Sequence, residues 1–303
     1  MSAVVLGELA ALGAAFCWAI APILYRQALF QTRPVSANIV RSATNALVML
    51  LVLLALGKWS ALSSLPLPVL GLVAASGVVG LGVADTLYMV GLRSVGVSVA
   101  VPLAASYPLF SLLWATLFLG QPVAASAVVG AVVIVAGIWL LSRDRDAVSL
   151  PLKGKLALTG IAASLATAIM WSVSISLMDA AIVLSGATSL DANYAMITLR
   201  VAAIALFLSL FAPVLDKNRG FLKMKRRTII QLCIGGLVAN GAGWFLLNYS
   251  FLNIPEAVAV PISSVTPLFS AIAGFMLFHE KATLNRVLGA VVIVVGVMLI
   301  FIV

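Results

Sequence analysis

Asp85 stands in the stretch GLGVADTLYMVGL, an acid in the middle of an apolar run, with Tyr88 close to one helical turn further on. A carboxyl group in a dry interior is costly as an anion and can exchange its charge for a proton when water reaches it. The chemistry open to it is coupling to proton movement or recognition of a solute. The cations available inside the apolar runs are Arg41 and Arg200, since Arg286 falls at the very start of its run and counts with the loop before it. A fixed Asp85–Arg41 or Asp85–Arg200 ion pair is the competing structural reading. Both arginines lie within about two turns of an expected helix start, from which they could snorkel to the interface. Asn240, Trp244 and Asn248 recur at four-residue spacing, which puts them on one helical face. Such a stripe either lines a cavity or bonds a neighbouring helix. Trp18 and Trp171 lie too deep for an interfacial belt, and they either fill the core or stack on a ligand.

A second constellation is written twice. VAVPLAASYPLFS begins at Val99 and VAVPISSVTPLFS at Val258. Proline removes a backbone N–H and frees the carbonyl four residues back. For Pro102 and Pro108 those carbonyls belong to Ser98 and Ala104; for Pro261 and Pro267, to Ala257 and Ser263. In hydrocarbon such a carbonyl must face protein or a wet cavity. Ser106, Tyr107, Ser263, Ser264 and Thr266 sit beside these prolines. The combination predicts bent helices that line a path with Pro108 and Pro267 at the bends. Kinks serving packing alone are the alternative.

The elements that carry these residues emerge from composition. The apolar fraction is 63% and the charged fraction 9%, against roughly half and a quarter in soluble domains. A spanning helix needs about 20 apolar residues. Ten runs qualify: 3–24, 36–56, 67–92, 97–119, 125–142, 156–177, 192–213, 228–250, 256–278 and 284–303. They are continuously apolar rather than alternating, so helices are expected and not a barrel. The first run is read as a true span, since it lacks the basic leader and cleavage site of a signal peptide.

At an offset of 159, residues 99–141 align with 258–300 without a gap, and 17 of 43 pairs are identical. The same offset pairs Gly82 with Gly241, Arg41 with Arg200, and Asp85 with Trp244; an offset of 153 pairs Trp18 with Trp171. The six-residue difference is placed near 185–190. Five helices are therefore duplicated, with a first repeat at 1–142, a basic linker at 143–155 and a second repeat at 156–303. Five is odd, so the second copy must be inverted. Loop charge agrees: fifteen basic residues fall in odd-numbered loops and one, Lys58, in even-numbered loops. Cytoplasmic loops carry the lysine and arginine excess, so this bias puts both termini outside the cytoplasm. The expected fold is an all-α membrane protein of ten transmembrane helices in two inverted-topology five-helix repeats, multi-pass in the cell (inner) membrane.

Gly130 with Gly137, and Gly289 with Gly296, are seven apart and share a face, which predicts close packing of the fifth helices as scaffold. The net charge of +9 lies in loops between apolar runs and points to a bilayer, not nucleic acid. The loop from Lys217 to Arg227 sets topology and could also bind anionic lipids. Glu256 comes directly after Pro255 and reads as a first-turn acid. Cys17 and Cys233 lie in apolar segments, and the His279–Glu280 pair lacks a second histidine, so no disulfide framework, metal site or cofactor is expected. There is no G-x-x-x-x-G-K-[ST] loop for a nucleotide-driven pump.

Two five-helix copies, a tryptophan in the first helix of each (Trp18, Trp171), an arginine early in the second (Arg41, Arg200), and "P…PLF" in the fourth before a glycine-rich fifth resemble the EamA type of the drug/metabolite transporter superfamily. Gln121 departs from the family's usual glutamate, which Glu280 keeps. The resemblance implies a secondary transporter of small organic metabolites, with export as the commoner association, working by alternating access. It implies fourth helices flanking the path and cytoplasmic termini, against the loop charges. Amino acids or related solutes and proton coupling suit the candidate residues. A membrane enzyme or lipid-handling protein is the alternative; monomer and homodimer both stay open.

Overall fold

The computed structural model describes residues 2–95, 100, 103–142, 155–186, 188–269, 272–273 and 283–300. Pro102, Ser98, His279, Glu280 and the linker at 143–154 lie outside them. Among the described residues every element of regular structure is a helix, joined by short connections such as 120–124 and 216–219. Among the described residues six helices are long and apolar enough to cross a membrane: Ala3–Ala21, Val35–Ala55, Leu67–Tyr88, Leu158–Ser185, Leu190–Leu215 and Arg226–Phe251. Four shorter apolar helices, Tyr107–Leu119, Ala125–Leu140, Glu256–Phe269 and Val287–Ile300, fall in the other four expected runs.

In chain order the helices are α1 (Ala3–Gln31), α2 (Pro34–Ala55), the short α3 (Trp59–Ser63), α4 (Leu67–Gly77), α5 (Asp85–Val95), α6 (Tyr107–Leu119), α7 (Ala125–Ser142), α8 (Lys155–Ser185), α9 (Leu190–Leu215), α10 (Arg226–Gly236), α11 (Trp244–Phe251), α12 (Glu256–Ser263) and α13 (Leu284–Ile300). Ends are set by ordinary local chemistry. Ser2 and Ser189 cap α1 and α9 with their hydroxyls, Pro34 opens α2, and Gly120 at φ 61° closes α6.

Two compact units result. The first joins Met1–Gly82 to Leu177–Asn253, and the second joins Val83–Ser176 to Ile254–Val303. Each sequence repeat therefore contributes to both. In the first unit α1 packs on α10 and α11, α2 on α9 and α10, and α4 on α9. Gly77 permits the last contact: a Cβ there would lie 2.5 Å from the Arg200 carbonyl oxygen. Lys58, before α3, pairs with Asp191 at the start of α9 at 2.7 Å. Arg33, between α1 and α2, shares a cleft with Lys223 and Lys225, between α9 and α10. The first connection of one copy thus meets the second connection of the other, as inverted copies require.

In the second unit α13 packs along α7, and α12 packs on α6, α7 and α13. The glycines make the α7–α13 crossing close: a Cβ on Gly137 would fall 2.9 Å from the Gly289 oxygen, and one on Gly296 would fall 2.9 Å from the Gly130 oxygen. Small residues are what allow such backbone approach in lipid, where van der Waals contact replaces the hydrophobic drive.

Two features depart from the expected straight or bent spans. The third and eighth runs are each interrupted by a π-helical stretch, Val78–Ala84 and Leu237–Gly243, at the same offset of 159 as the sequence repeat. The fourth-helix phrases are broken by turns rather than bent. Residues 105–106 and 264–265 are turns, and helix resumes at Tyr107 and Thr266. Pro108 is then the second residue of α6, and Pro267 holds the matching place. In a first turn proline has no intrahelical N–H bond to lose. The expectation of mid-helix carbonyls freed by Pro108 and Pro267 is thereby corrected. Pro261 does lie inside α12, where it is buried.

Candidate functional site

A π turn widens the helix and shifts the register of the residues after it, and such turns recur at functional sites. Here each leads directly into a residue singled out from sequence: Asp85 opens α5 and Trp244 opens α11. The widened turns also present carbonyls to side chains. Asn38 donates to Leu81 O at 3.2 Å, Thr167 to Ala84 O at 3.3 Å, and the Trp18 indole N–H to Ala239 O at 3.1 Å. Gly243 is needed for the last: a Cβ there would meet Trp18 Nε1 at 2.6 Å.

In the second unit, Asp85 Oδ1 accepts a hydrogen bond from Trp171 Nε1 at 3.0 Å. Tyr88 lies against Trp171 with ring centroids 5.1 Å apart, and Tyr107 meets the same indole edge-on at 6.1 Å. Asp85, Tyr88, Tyr107 and Trp171 are all half-buried, so neither the carboxylate nor the aromatic cluster on its Trp171 partner is sealed. The structure thus brings together three of the expected site residues on α5 and α6, and adds Trp171 from α8.

In the first unit, Arg200 is fully buried, which excludes snorkelling. Its guanidinium carbon lies 3.4 Å from the centroid of the Trp244 ring. A desolvated guanidinium over an indole face gains on the order of 2 kcal/mol. Trp18 stacks edge-on against Trp244 at 5.3 Å. The result is a cation on α9 over an indole from α11, which is itself packed edge-on by an indole from α1. Arg41 is held differently: its Nη2 donates to Asn38 Oδ1 at 2.7 Å, and Asn38 passes the contact to the π carbonyl. Asn240 and Asn248 are buried beside Trp244 in sequence, but the π stretch between Asn240 and Trp244 breaks the simple four-residue face expected for the three. Asn248 has no hydrogen-bond partner for either amide atom among the described residues, and neither has Asn240 for its nitrogen. Buried amides of this kind call for water or a ligand.

The hydroxyls beside the prolines serve the helix breaks. Ser106 Oγ donates to Leu103 O at 2.6 Å, Ser263 to Val260 O at 2.9 Å, Ser264 to Pro261 O at 2.6 Å, and Thr266 to Ser263 O at 3.2 Å. They satisfy carbonyls where the helices are interrupted.

Sequence reading missed a fully buried acid that joins helices distant in the chain. Glu256 does open α12 as a first-turn acid, but its side chain is 0% exposed. Its Oε1 accepts from Ser111 on α6 and, at 2.7 Å, from Ser176 on α8. One carboxylate oxygen therefore ties three helices of the second unit. Asp179 on α8 is a further buried acid, and Asn38 and Asn193 are further buried amides, the latter donating to Phe245 O at 3.1 Å. Only Asn38 carried a local signal, lying one turn before Arg41.

Long apolar helices enclosing buried charge, bonded side chain to side chain, mark an integral membrane protein. The chain belongs to the EamA-like transporter family, which it matches over residues 5–143 and 158–302. A protein from Archaeoglobus fulgidus, described as an uncharacterized transporter, is 24% identical over 296 residues, 96% of each chain. A crystal structure 18% identical in sequence superposes with a TM-score of 0.75, over 97% of this chain and 95% of the other, and shares the fold. A membrane transporter built as a repeated helical fold is what these likenesses establish.

Proposed function

We propose that the protein is a secondary transporter of small organic metabolites, exporting amino acids or related solutes by alternating access, with Asp85 coupling solute to proton movement. The observation that carries this is the carboxylate of Asp85, half-buried within an apolar span and bonded to the indole of Trp171, on which Tyr88 and Tyr107 pack. An acid so placed is expensive in a bilayer and is kept for a task. Its surround offers an amphipathic solute aromatic faces and one charge. The ammonium group of an amino acid matches that charge, and its side chain matches the aromatic faces. Each inverted copy supplies its own residue, Asp85 or Trp244, directly after its π stretch, and the acid stands in one copy alone.

Asp85→Asn tests the coupling. Asparagine keeps Oδ1 as acceptor for Trp171 and cannot titrate. In proteoliposomes supplied with a panel of labelled amino acids, accumulation driven by an imposed pH gradient is expected in the wild type and absent in the variant, with solute exchange retained. Normal gradient-driven accumulation by Asp85→Asn would end the coupling reading. Absence of flux in the wild type across the panel would end the amino-acid reading.

A further inference from the structure

At the end of the first unit where α1 finishes and α10 begins, the chain encloses a cleft of about 530 Å³. Three of its lining side chains are cations: Arg33 from the α1–α2 connection, and Lys223 and Lys225 from the α9–α10 connection. Thr32, Thr228 and Asn218 add polar groups, and Met224 adds an apolar wall. The acid of this region, Asp216, is engaged beneath the floor. It is 2% exposed, and its Oδ2 accepts from Ser36 Oγ at 2.7 Å and from the Phe221 N–H at 3.1 Å. The three lining cations therefore outweigh this buried carboxylate.

The cleft is built rather than incidental. Asp216 fixes the connection by its side chain and by its carbonyl, which accepts from Arg219 N at 2.7 Å. Arg219 is turned to φ 50°, the left-handed region that few side chains adopt. The next residue must be small: a Cβ on Gly220 would lie 2.9 Å from Ser36 Oγ. Phe221 and Met224 are anchored on the apolar cluster of Ala28, Ala37, Val40 and Leu232. Lys223 and Lys225 are thereby held opposite Arg33. Lys225 is also the residue before α10, and no side chain caps that helix, so first-turn N–H groups add to the positive field.

We propose that this cleft binds a phosphate group at the membrane edge, with an anionic phospholipid headgroup as the source the surroundings favour. Arg33, whose terminal nitrogens also meet the Asn218 amide oxygen at 3.0 and 3.2 Å, contributes charge and further N–H donors, the lysines supply point charge, and the spans below continue into the region of acyl chains. None of these side chains takes part in the transport reading. The site is also narrower than the basic loop marked out by sequence. Lys217, Arg226 and Arg227 share that loop but do not line the cleft, while Arg33 lines it from a different connection.

The full-length protein in detergent is titrated with phosphatidylglycerol, phosphatidylcholine or inorganic phosphate, and bound species are counted by native mass spectrometry. Phosphatidylglycerol is expected to bind in preference to phosphatidylcholine. Each cation near an anionic surface is worth roughly fivefold in affinity, so Arg33→Gln/Lys223→Gln/Lys225→Gln is expected to lose roughly a hundredfold. The charge-matched variant Lys217→Gln/Arg226→Gln/Arg227→Gln is expected to stay within about twofold of wild type, because these side chains lie outside the cleft. Should the triple cleft variant not fold, Lys223→Gln alone is expected to lose about fivefold. Tight binding of inorganic phosphate that displaces lipid and needs the three cations supports the site and assigns it to a soluble phosphate. Equal losses in the two triple variants, or binding indifferent to the cleft cations, overturns the proposal.

Discussion

Removing the acceptor at Glu256 should loosen the second unit without touching Asp85. The carboxylate is 0% exposed and receives hydroxyl protons from Ser111 and Ser176 at one oxygen. Glu256→Leu deletes that acceptor and leaves two buried hydroxyls to seek others. A buried group losing its partner costs about 1–3 kcal/mol. Serines on helices can turn to a carbonyl four residues back, which recovers part of this. Bonds between transmembrane helices also measure at the lower end, about 0.6–1.7 kcal/mol. The net loss for Glu256→Leu is therefore about 2–3 kcal/mol. Glu256→Gln keeps an oxygen at the Oε1 position and should lose about 1 kcal/mol or less. In detergent micelles, thermal unfolding should rank wild type above Glu256→Gln and both above Glu256→Leu. At about 2 °C per kcal/mol for a chain of this size, the larger drop is about 4–6 °C. A cycle with Ser111→Ala should give a coupling energy of about 1 kcal/mol for Glu256→Leu. Glutamine and leucine variants of equal stability would refute this reasoning, because then the acceptor oxygen is not what matters. So would strict additivity with Ser111→Ala.

The α7–α13 crossing gives a second test: Gly137→Ala puts a Cβ 2.7 Å from Ile293 Cγ1 and 2.9 Å from the Gly289 oxygen, so overpacking of about 1–3 kcal/mol is expected in the same unfolding assay. An unshifted transition would show that the helices part freely there. Pro108→Ala and Pro267→Ala should each change stability by less than about 1 kcal/mol, because both prolines occupy first-turn positions. A large loss in either would restore a structural role for the ring. Paired C-terminal reporters, one active only inside the cytoplasm and one only outside, should give the outside signal that the loop cations favour. A cytoplasm-only signal would invert the orientation and leave the fold as described.

Helices were legible because lipid demands long continuous apolar runs, and the first, second, seventh and eighth were placed to within a few residues at most ends. The glycine crossing was legible for a related reason: a seven-residue repeat of a residue without a side chain has few other uses in a membrane. The π stretches left no such trace. VVGLGVA and LVANGAG are as apolar and small as their neighbours, and the side chains that bond their carbonyls, Asn38, Thr167 and Trp18, reach in from other helices. Trp171 as the partner of Asp85 was hidden likewise, 86 residues away. Glu256 was the deepest omission. Its local context, after Pro255, describes a helix start at a loop, while its burial depends on serines 145 and 80 residues distant. Local pattern reports what a residue can begin. Burial of a charge is decided by chain that arrives from elsewhere.

The interleaving of the two units bears on biosynthesis. A ribosome delivers α1 and α2 first, yet their main packing partners are α9, α10 and α11, which begin at Leu190 and later. The inserted first copy must therefore persist in the bilayer with polar faces uncovered, Arg41 and Asn45 among them, until well over half the chain has been made. Arrest of translation anywhere in the linker at 143–155 would release a fragment in which neither unit is complete, a substrate for membrane quality control rather than a folded half. Two halves made as separate polypeptides would, by the same logic, have to find each other before either acquires its final packing. The duplication legible in the sequence therefore does not coincide with the compact units: each unit draws its helices from both copies.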